Sequence, residues 1–177
     1  DGKGGMYGVD TDNSRIVRII DGAVTGEIKA KDISPVSVAV DGSGALWALD
    51  KKKASVVKLD ESGNMLAAIG TSGSRKGEFD DAEDFVISST GIIFVADSGN
   101  RRVQAFSSDG VFLKEIRNDA SGKLEHPAAI ALDPRDGLYV LDKGRAVVAI
   151  YSAKGEPLGV FGKQAGEAIL EKPVGLM

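Results

Sequence analysis

At 177 residues, 42% hydrophobic and 27% charged, the chain can build one domain with a real core, in the balance usual for a soluble globular protein. No apolar run approaches the ~20 residues that a membrane helix needs, and the net charge of −4 disfavours a general binder of nucleic acid, which must neutralise phosphates. There is no cysteine, which excludes a disulfide framework and a thiolate zinc site. A chain that opens at Asp1 without Met or a targeting segment reads as a processed product or a piece of a longer protein.

In chain order, the first stretch places Tyr7 three residues before Asp10 and continues through Ile16, Ile19, turn Gly22 and Ile28. The next begins with PVSVAVD (35–41), then ALWALD (45–50), VVKL (56–59) and MLAAIG (65–70). After a Gly-rich loop come DAEDFVIS (81–88), GIIFVAD (91–97), VQAF (103–106) and VFLKEI (111–116). PAAIALD (127–133) and LYVLD (138–142) open the last set, which continues through Val148, Tyr151, Gly155 and Phe161. EKPVGLM (171–177) then starts over. Val, Ile and aromatic residues dominate the runs, with Gly, Asp, Ser and Asn between them, which predicts short strands and tight turns. No segment carries a 3.6-residue period long enough for a stable helix.

The runs repeat. An aromatic stands three residues before Asp10, Asp50, Asp97 and Asp142, at Tyr7, Trp47, Phe94 and Tyr139, and the Asp residues recur at intervals of about 40–47 residues. Labelling the strands a to d, the units are 1–34, 35–81, 82–126 and 127–172, with 173–177 beginning a further inner strand a. Several strands are apolar on both faces and must be covered on both sides. Four-stranded units of this period, stacked flank to flank around an axis, form a β-propeller. Trp47 is then blade core.

Two closures are consistent with this. The last strand a could complete the first blade of a four-bladed ring, or the chain could be part of a longer propeller. Met177 falls where the other strands continue to an Asp, which favours the second. An open blade face leaving about five large apolar side chains in water forfeits ~10 kcal/mol or more, so further blades or a second chain are expected to complete an open ring.

The stretch ADSGNRR (96–102) is read as the hairpin between strands b and c. Asp10, Asp50, Asp97 and Asp142, with Asn100 and Arg102, are structural turn residues, because an Asp present in every copy serves the scaffold rather than one active site. Asp97 is expected to accept N–H bonds from its own turn, Gly99 and Asn100 to supply positive φ, and Arg102 to lie over the blade against Asp97.

Other residues face the prospective ligand side. EFDDAED (78–84) crowds acids at the start of a strand a. Asp80, Asp81 and Glu83 there are weak candidates for Ca²⁺ or another divalent cation, although the spacing fits no EF-hand. His126, the single histidine, lies at the corresponding position of the next unit, with no catalytic partner at recognisable spacing. Glu83, Asp84 and His126, with Lys51, Arg101 and Arg145 from b–c turns, are the candidate partner-facing residues. The Lys51–Lys53 run and its counterparts give that face a patchy basic rim. GTSGSRKG (70–77) fails the phosphate-loop spacing and is a long d–a loop.

GIIFVADSGNRRVQAFSSDGVFLKEI (91–116) and KLEHPAAIALDPRDGLYVLD (123–142) resemble the NHL-repeat family of β-propellers, rings typically six-bladed in the TolB-like manner. The other units fit the same frame more loosely. The resemblance departs where Arg101 and Arg102 follow Asn100 in place of the family's usual His and then Leu or Arg, and where strand a at 81–88 lacks Pro. It implies a non-catalytic module that binds protein partners through the loops of one face. RNA is a further partner class, disfavoured by the acidic pI of about 5.1. Distant six-bladed relatives imply the alternative: a lactonase- or lyase-like enzyme, or a small-ligand binder, with channel carboxylates on a divalent ion.

Overall fold

The computed structural model describes residues 5–30, 32–164 and 167–168. Among these there is no helix, as the missing 3.6-residue period predicts. The chain forms successive antiparallel meanders, each strand pairing with the next. Blade I is β1 (Gly5–Asp10), β2 (Arg15–Ile20) and β3 (Ala23–Lys29). Blade II is β4 (Pro35–Val40), β5 (Leu46–Asp50), β6 (Ser55–Leu59) and β7 (Met65–Ile69). Two short strands, β8 (Thr71–Ser72) and β9 (Glu78–Phe79), pair in parallel within the next loop. Blade III is β10 (Ala82–Ile87), β11 (Ile93–Asp97), β12 (Arg102–Phe106) and β13 (Phe112–Ile116). A small hairpin follows, β14 (Asn118–Asp119) with β15 (Gly122–Lys123). Blade IV is β16 (Pro127–Leu132), β17 (Leu138–Asp142), β18 (Val147–Tyr151) and β19 (Pro157–Phe161), and β20 (Lys163–Gln164) pairs with β21 (Glu167–Ala168). The inner strand expected at 173–177 lies outside the described residues.

Even the irregularities repeat. The a–b pairing slips between Pro35 and Ser37, between Ala82 and Asp84, and between Pro127 and Ala129. The strand c pairing with strand d slips at the same repeat position in all four blades, after Arg18, Lys58, Ala105 and Ile150. A bulge leaves one residue unpaired and bends its strand. Val36, Glu83 and Ala128 are the unpaired residues of strand a, so the start of each inner strand bends at the same place.

Alternation in these twice-apolar strands sends side chains to two different interfaces. Ile93 and Val95 of β11 join Trp47, Leu49, Val56 and Ile69 between blades II and III. Phe94 and Ala96 of the same strand join Ile130, Leu138, Val140 and Tyr151 between blades III and IV. Ile16 meets Leu46, Ala48, Val57 and Leu59 between blades I and II. Each such Val, Leu, Ile or Phe side chain, fully buried, contributes about 1.5–3 kcal/mol. The stacking of blades therefore holds the fold together, since an isolated meander would bury neither of its faces. Trp47, 1% exposed, is blade core as expected. The outermost strands see water, with Val24, Leu66 and Leu158 more than half exposed.

Turn glycines set the spacing of the blades. Gly63, in the left-handed region at φ 78°, lies so close to blade I that a Cβ there would sit 2.2 Å from the Lys29 carbonyl oxygen. Only glycine meets both conditions.

Candidate functional site

Strand b of every blade ends on its Asp, and the inner strand begins opposite it: Pro35 pairs with Asp50, Ala82 with Asp97 and Pro127 with Asp142. The b–c turns and the loops leading into strand a therefore emerge on one face. Asp50, Asp97 and Asp142 are all 0% exposed. Buried carboxylates need partners, and each blade supplies different ones. Asp97 accepts from the backbone N–H of Asp80 at 2.8 Å, from Asn100 Nδ2 at 3.0 Å, from Arg102 Nε at 2.7 Å and from Gln104 Nε2 at 3.0 Å. Asp142 accepts from the N–H groups of Glu125 and His126. Asp10 accepts from Asn13 and Arg15. Asp50 accepts from the N–H groups of Ser34, Lys52 and Lys53, all on Oδ1, while Oδ2 is buried with no partner among the described residues. Ser55 stands where blades I and III place Arg15 and Arg102.

Three details differ from the sequence reading. Asp97 bonds the loop that leads into strand a, not the backbone of its own turn. The left-handed residue of the b–c turn is neither Gly99 nor Asn100 but the one that follows: Ser14, Ala54, Arg101 and Ala146 have φ of 49°, 50°, 55° and 52°. Gly99 is needed for space, because a Cβ there would lie 2.6 Å from Asp80 Oδ2.

The candidate rim residues are drawn into links between blades. Glu83, the bulge residue, accepts from Lys143 at 3.0 Å and pairs with His126 Nε2 at 2.8 Å. Lys51 of blade II pairs with Asp81 of blade III at 2.9 Å. Arg145 is bound by Asp119 Oδ2, Ser121 Oγ and the Lys123 carbonyl, so it fastens the β14–β15 hairpin. Asp84 spans three blades: it accepts from Ser37 Oγ of blade II at 2.7 Å and from the Ile130 N–H of blade IV at 3.0 Å. Burial pushes its carboxyl above the usual range. Arg101, Lys52 and Lys53 are exposed. Asp81 and Glu83 thus face different partners, and among the described residues no group of three or more His, Asp and Glu side chains gathers as metal ligands.

The repeat hid a second set of acids at the opposite end of the blades, where Asp caps its own turn. Asp41 accepts from the N–H groups of Ser43 and Ala45 and from Trp47 Nε1 at 2.9 Å. Asp133 accepts from Arg135 and Gly137. The signal was legible as an Asp closing PVSVAVD and PAAIALD. Burial works against the Asp41 carboxylate, but the bonds from Ser43, Trp47 and Ala45 outweigh it and hold its carboxyl well below the usual range. Asp133 is lowered by the Gly137 and Arg135 N–H groups, and Glu115 by Arg117. A carboxyl lowered in the folded state stabilises above its unfolded value and loses that contribution as pH falls through the folded one. Asp84, raised, acts in the opposite sense. Urea unfolding should therefore show stability falling from pH 5 to pH 2.5, and Asp41→Asn should reduce that fall by about 1–2 kcal/mol. An unchanged slope in the variant would remove Asp41 from the account.

No protein-family model matches the chain. Tripartite motif-containing protein 2 from Homo sapiens and from Mus musculus is 33% identical over 104 residues, which covers 55% of this chain and 13% of the relative. The human E3 ubiquitin-protein ligase TRIM32 is 44% identical over 57 residues, covering 32% of this chain and 9% of its own length. Among solved structures, virginiamycin B lyase from Staphylococcus aureus superposes with a TM-score of 0.68 at 15% identity, over 96% of this chain and 54% of that one. The RRP9 WD40 repeats superpose with a TM-score of 0.66 at 13% identity, over 90% and 48%. The chain spans about half of these structures and a small part of the curated relatives. The structural likenesses establish the β-propeller fold and nothing finer.

Proposed function

We propose that this chain is an NHL-type propeller that serves as a non-catalytic protein-interaction module, through the face carrying the b–c turns and the loops into strand a. One observation carries the reading: on that face Glu83, Asp81, Asp84 and Arg145 are engaged in holding blades and loops together, while Lys52, Lys53 and Arg101 stand exposed on the same rigid frame. A rigid scaffold presenting exposed loop side chains suits a protein partner. The tripartite-motif relatives, one of them named as a ubiquitin ligase, agree with a module working inside a larger protein.

The test is site-specific crosslinking in an extract of the source cells. Benzoylphenylalanine at position 52 or 101 is expected to give discrete protein adducts, and at Lys154 on the opposite face none. Calorimetry with Ca²⁺ and Mg²⁺ is expected to give no saturable heat. Adducts independent of position, or a micromolar divalent site, would favour the metal-dependent alternative.

A further inference from the structure

The b–c turn of blade III, the end of β13 and the β14–β15 hairpin enclose a pocket between blades III and IV, on the face just described. Its wall includes Asn100, Arg101, Arg117, Asn118, Lys123 and Glu125. The local chain explains why the cations meet there. Asn118 pairs with Lys123 across the hairpin, and Asp119 with Gly122. Successive residues of a strand face opposite ways. Asp119 turns inward to Arg145, so Asn118 and Lys123 share the outer side. Arg117 is held in place: Glu115 accepts from its Nε at 3.0 Å and from NH2 at 3.2 Å, and the Asn100 carbonyl accepts from NH1 at 3.1 Å. These bonds use one hydrogen on each nitrogen and leave two N–H groups for a ligand. Glu115 is itself bonded to the buried Arg102, which fixes the guanidinium further. The Arg101 guanidinium and the Lys123 ammonium, both exposed, have no ion-pair partner among the described residues.

We propose that this pocket binds the phosphate of a phosphorylated serine or threonine on the partner protein. The proposal rests on the reading of this face as a protein-interaction surface. Three cations face the pocket against two carboxylates, Glu125 in the wall and Glu115 behind Arg117, which leaves the site net positive. A phosphomonoester, with a charge of about −1.5 to −2 at neutral pH and three acceptor oxygens, can use all three cations. An aspartate or glutamate side chain has one charge and two oxygens. A polyanion such as RNA fits less well, because the chain carries a net −4 and Lys51 and Lys143 on the same face are paired with Asp81 and Glu83.

The experiment is an amide-NMR titration of the whole chain with a pentapeptide carrying one phosphoserine. Its unphosphorylated twin, a glutamate version, inorganic phosphate and a decauridylate serve as the other arms. The phosphopeptide should produce saturable shifts confined to the neighbourhood of Asn100, Arg101, Asn118 and Lys123, and should bind at least about fivefold more tightly than inorganic phosphate. Binding should weaken below pH 6, as the phosphate takes up its second proton. Arg101→Asn and Lys123→Gln should each weaken it by about tenfold, with thermal melts unchanged. The proposal is overturned by equal binding of the twin or the glutamate peptide, by tighter binding of decauridylate, by phosphate binding as strong as the peptide's, or by variants that bind like the parent. Adducts that persist at position 52 while the phosphopeptide fails would sink the pocket alone. Loss of those adducts would sink the interaction module as well.

Discussion

Asp97→Ala should lower stability by about 3–5 kcal/mol, enough to threaten the fold of a domain whose total is ~5–15 kcal/mol. The carboxylate is the common acceptor of the loop before strand a, the b–c turn and strand c, through Asp80, Asn100, Arg102 and Gln104. Removing it also leaves Arg102, 1% exposed, with its charge opposed only by Glu115 at 3.0 Å. A buried guanidinium that has lost one of its two carboxylates is the larger part of the loss. In blade II the same column behaves differently. Among the described residues Asp50 has no guanidinium beside it and Oδ2 has no partner, so Asp50→Asn removes a buried charge without stranding another. It should cost under about 1 kcal/mol, since the Oδ1 acceptor is retained. Urea unfolding of the two variants decides the matter. Equal losses would show that the Asp column acts through backbone turns alone, and that the Arg102 pairing adds nothing.

That contrast also shows what the sequence could and could not give. The Asp column, the aromatic three residues before it and the apolar strands are short-range patterns, visible in any one unit and reinforced by repetition. They were enough to place sixteen blade positions, of which fifteen strands fall among the described residues, and to assign Trp47 to the core. The a–b–c–d order follows because each strand pairs with its sequence neighbour. The pairings that make the candidate face are of another kind. Ser37 with Asp84, Asp84 with Ile130, and Lys143 with Glu83 join different blades, and nothing local in DAEDFVIS tells which acid bends toward which neighbour. The bulge at Glu83 decides it, by sending Glu83 and Asp84 to different partners. Likewise, no residue preference marks Arg101 as the left-handed position, because Ser14, Ala54 and Ala146 hold it in the other blades. The turn imposes that conformation, not the side chain. Arg117, Asn118 and Lys123 escaped notice because they come together only once the hairpin at 118–123 folds against the next blade.

Phe79→Ala should be nearly as damaging, at about 3–5 kcal/mol, although Phe79 lies in the loop between blades. The ring is 0% exposed and packs edge-on against Phe106, with centroids 5.6 Å apart and planes at 83°. It belongs to the cluster that joins blades II and III, so it pins the 70–81 loop to the frame. Gly70 lies against the same ring: a Cβ there would be 2.1 Å from Phe79 Cε2, at a φ of 96°. Gly70→Ala therefore has two penalties in the parent, steric overlap and left-handed strain of about 1–2 kcal/mol. In the Phe79→Ala background only the strain remains. A double-mutant cycle should show Gly70→Ala costing at least about 1 kcal/mol less there; strict additivity would mean that the loop does not close over this ring. Hydrogen exchange gives the functional side of the same change. The Gly73 N–H bonds the Phe79 carbonyl and the Gly99 N–H bonds the Asp80 carbonyl. Both amides should lose protection in Phe79→Ala well before the strands of blade III do. The loop reaches the b–c turn that carries Arg101 through Asp80, so loosening it should also loosen the face proposed to meet the partner. Protection retained at Gly73 and Gly99 would show that the rim keeps its shape without this anchor.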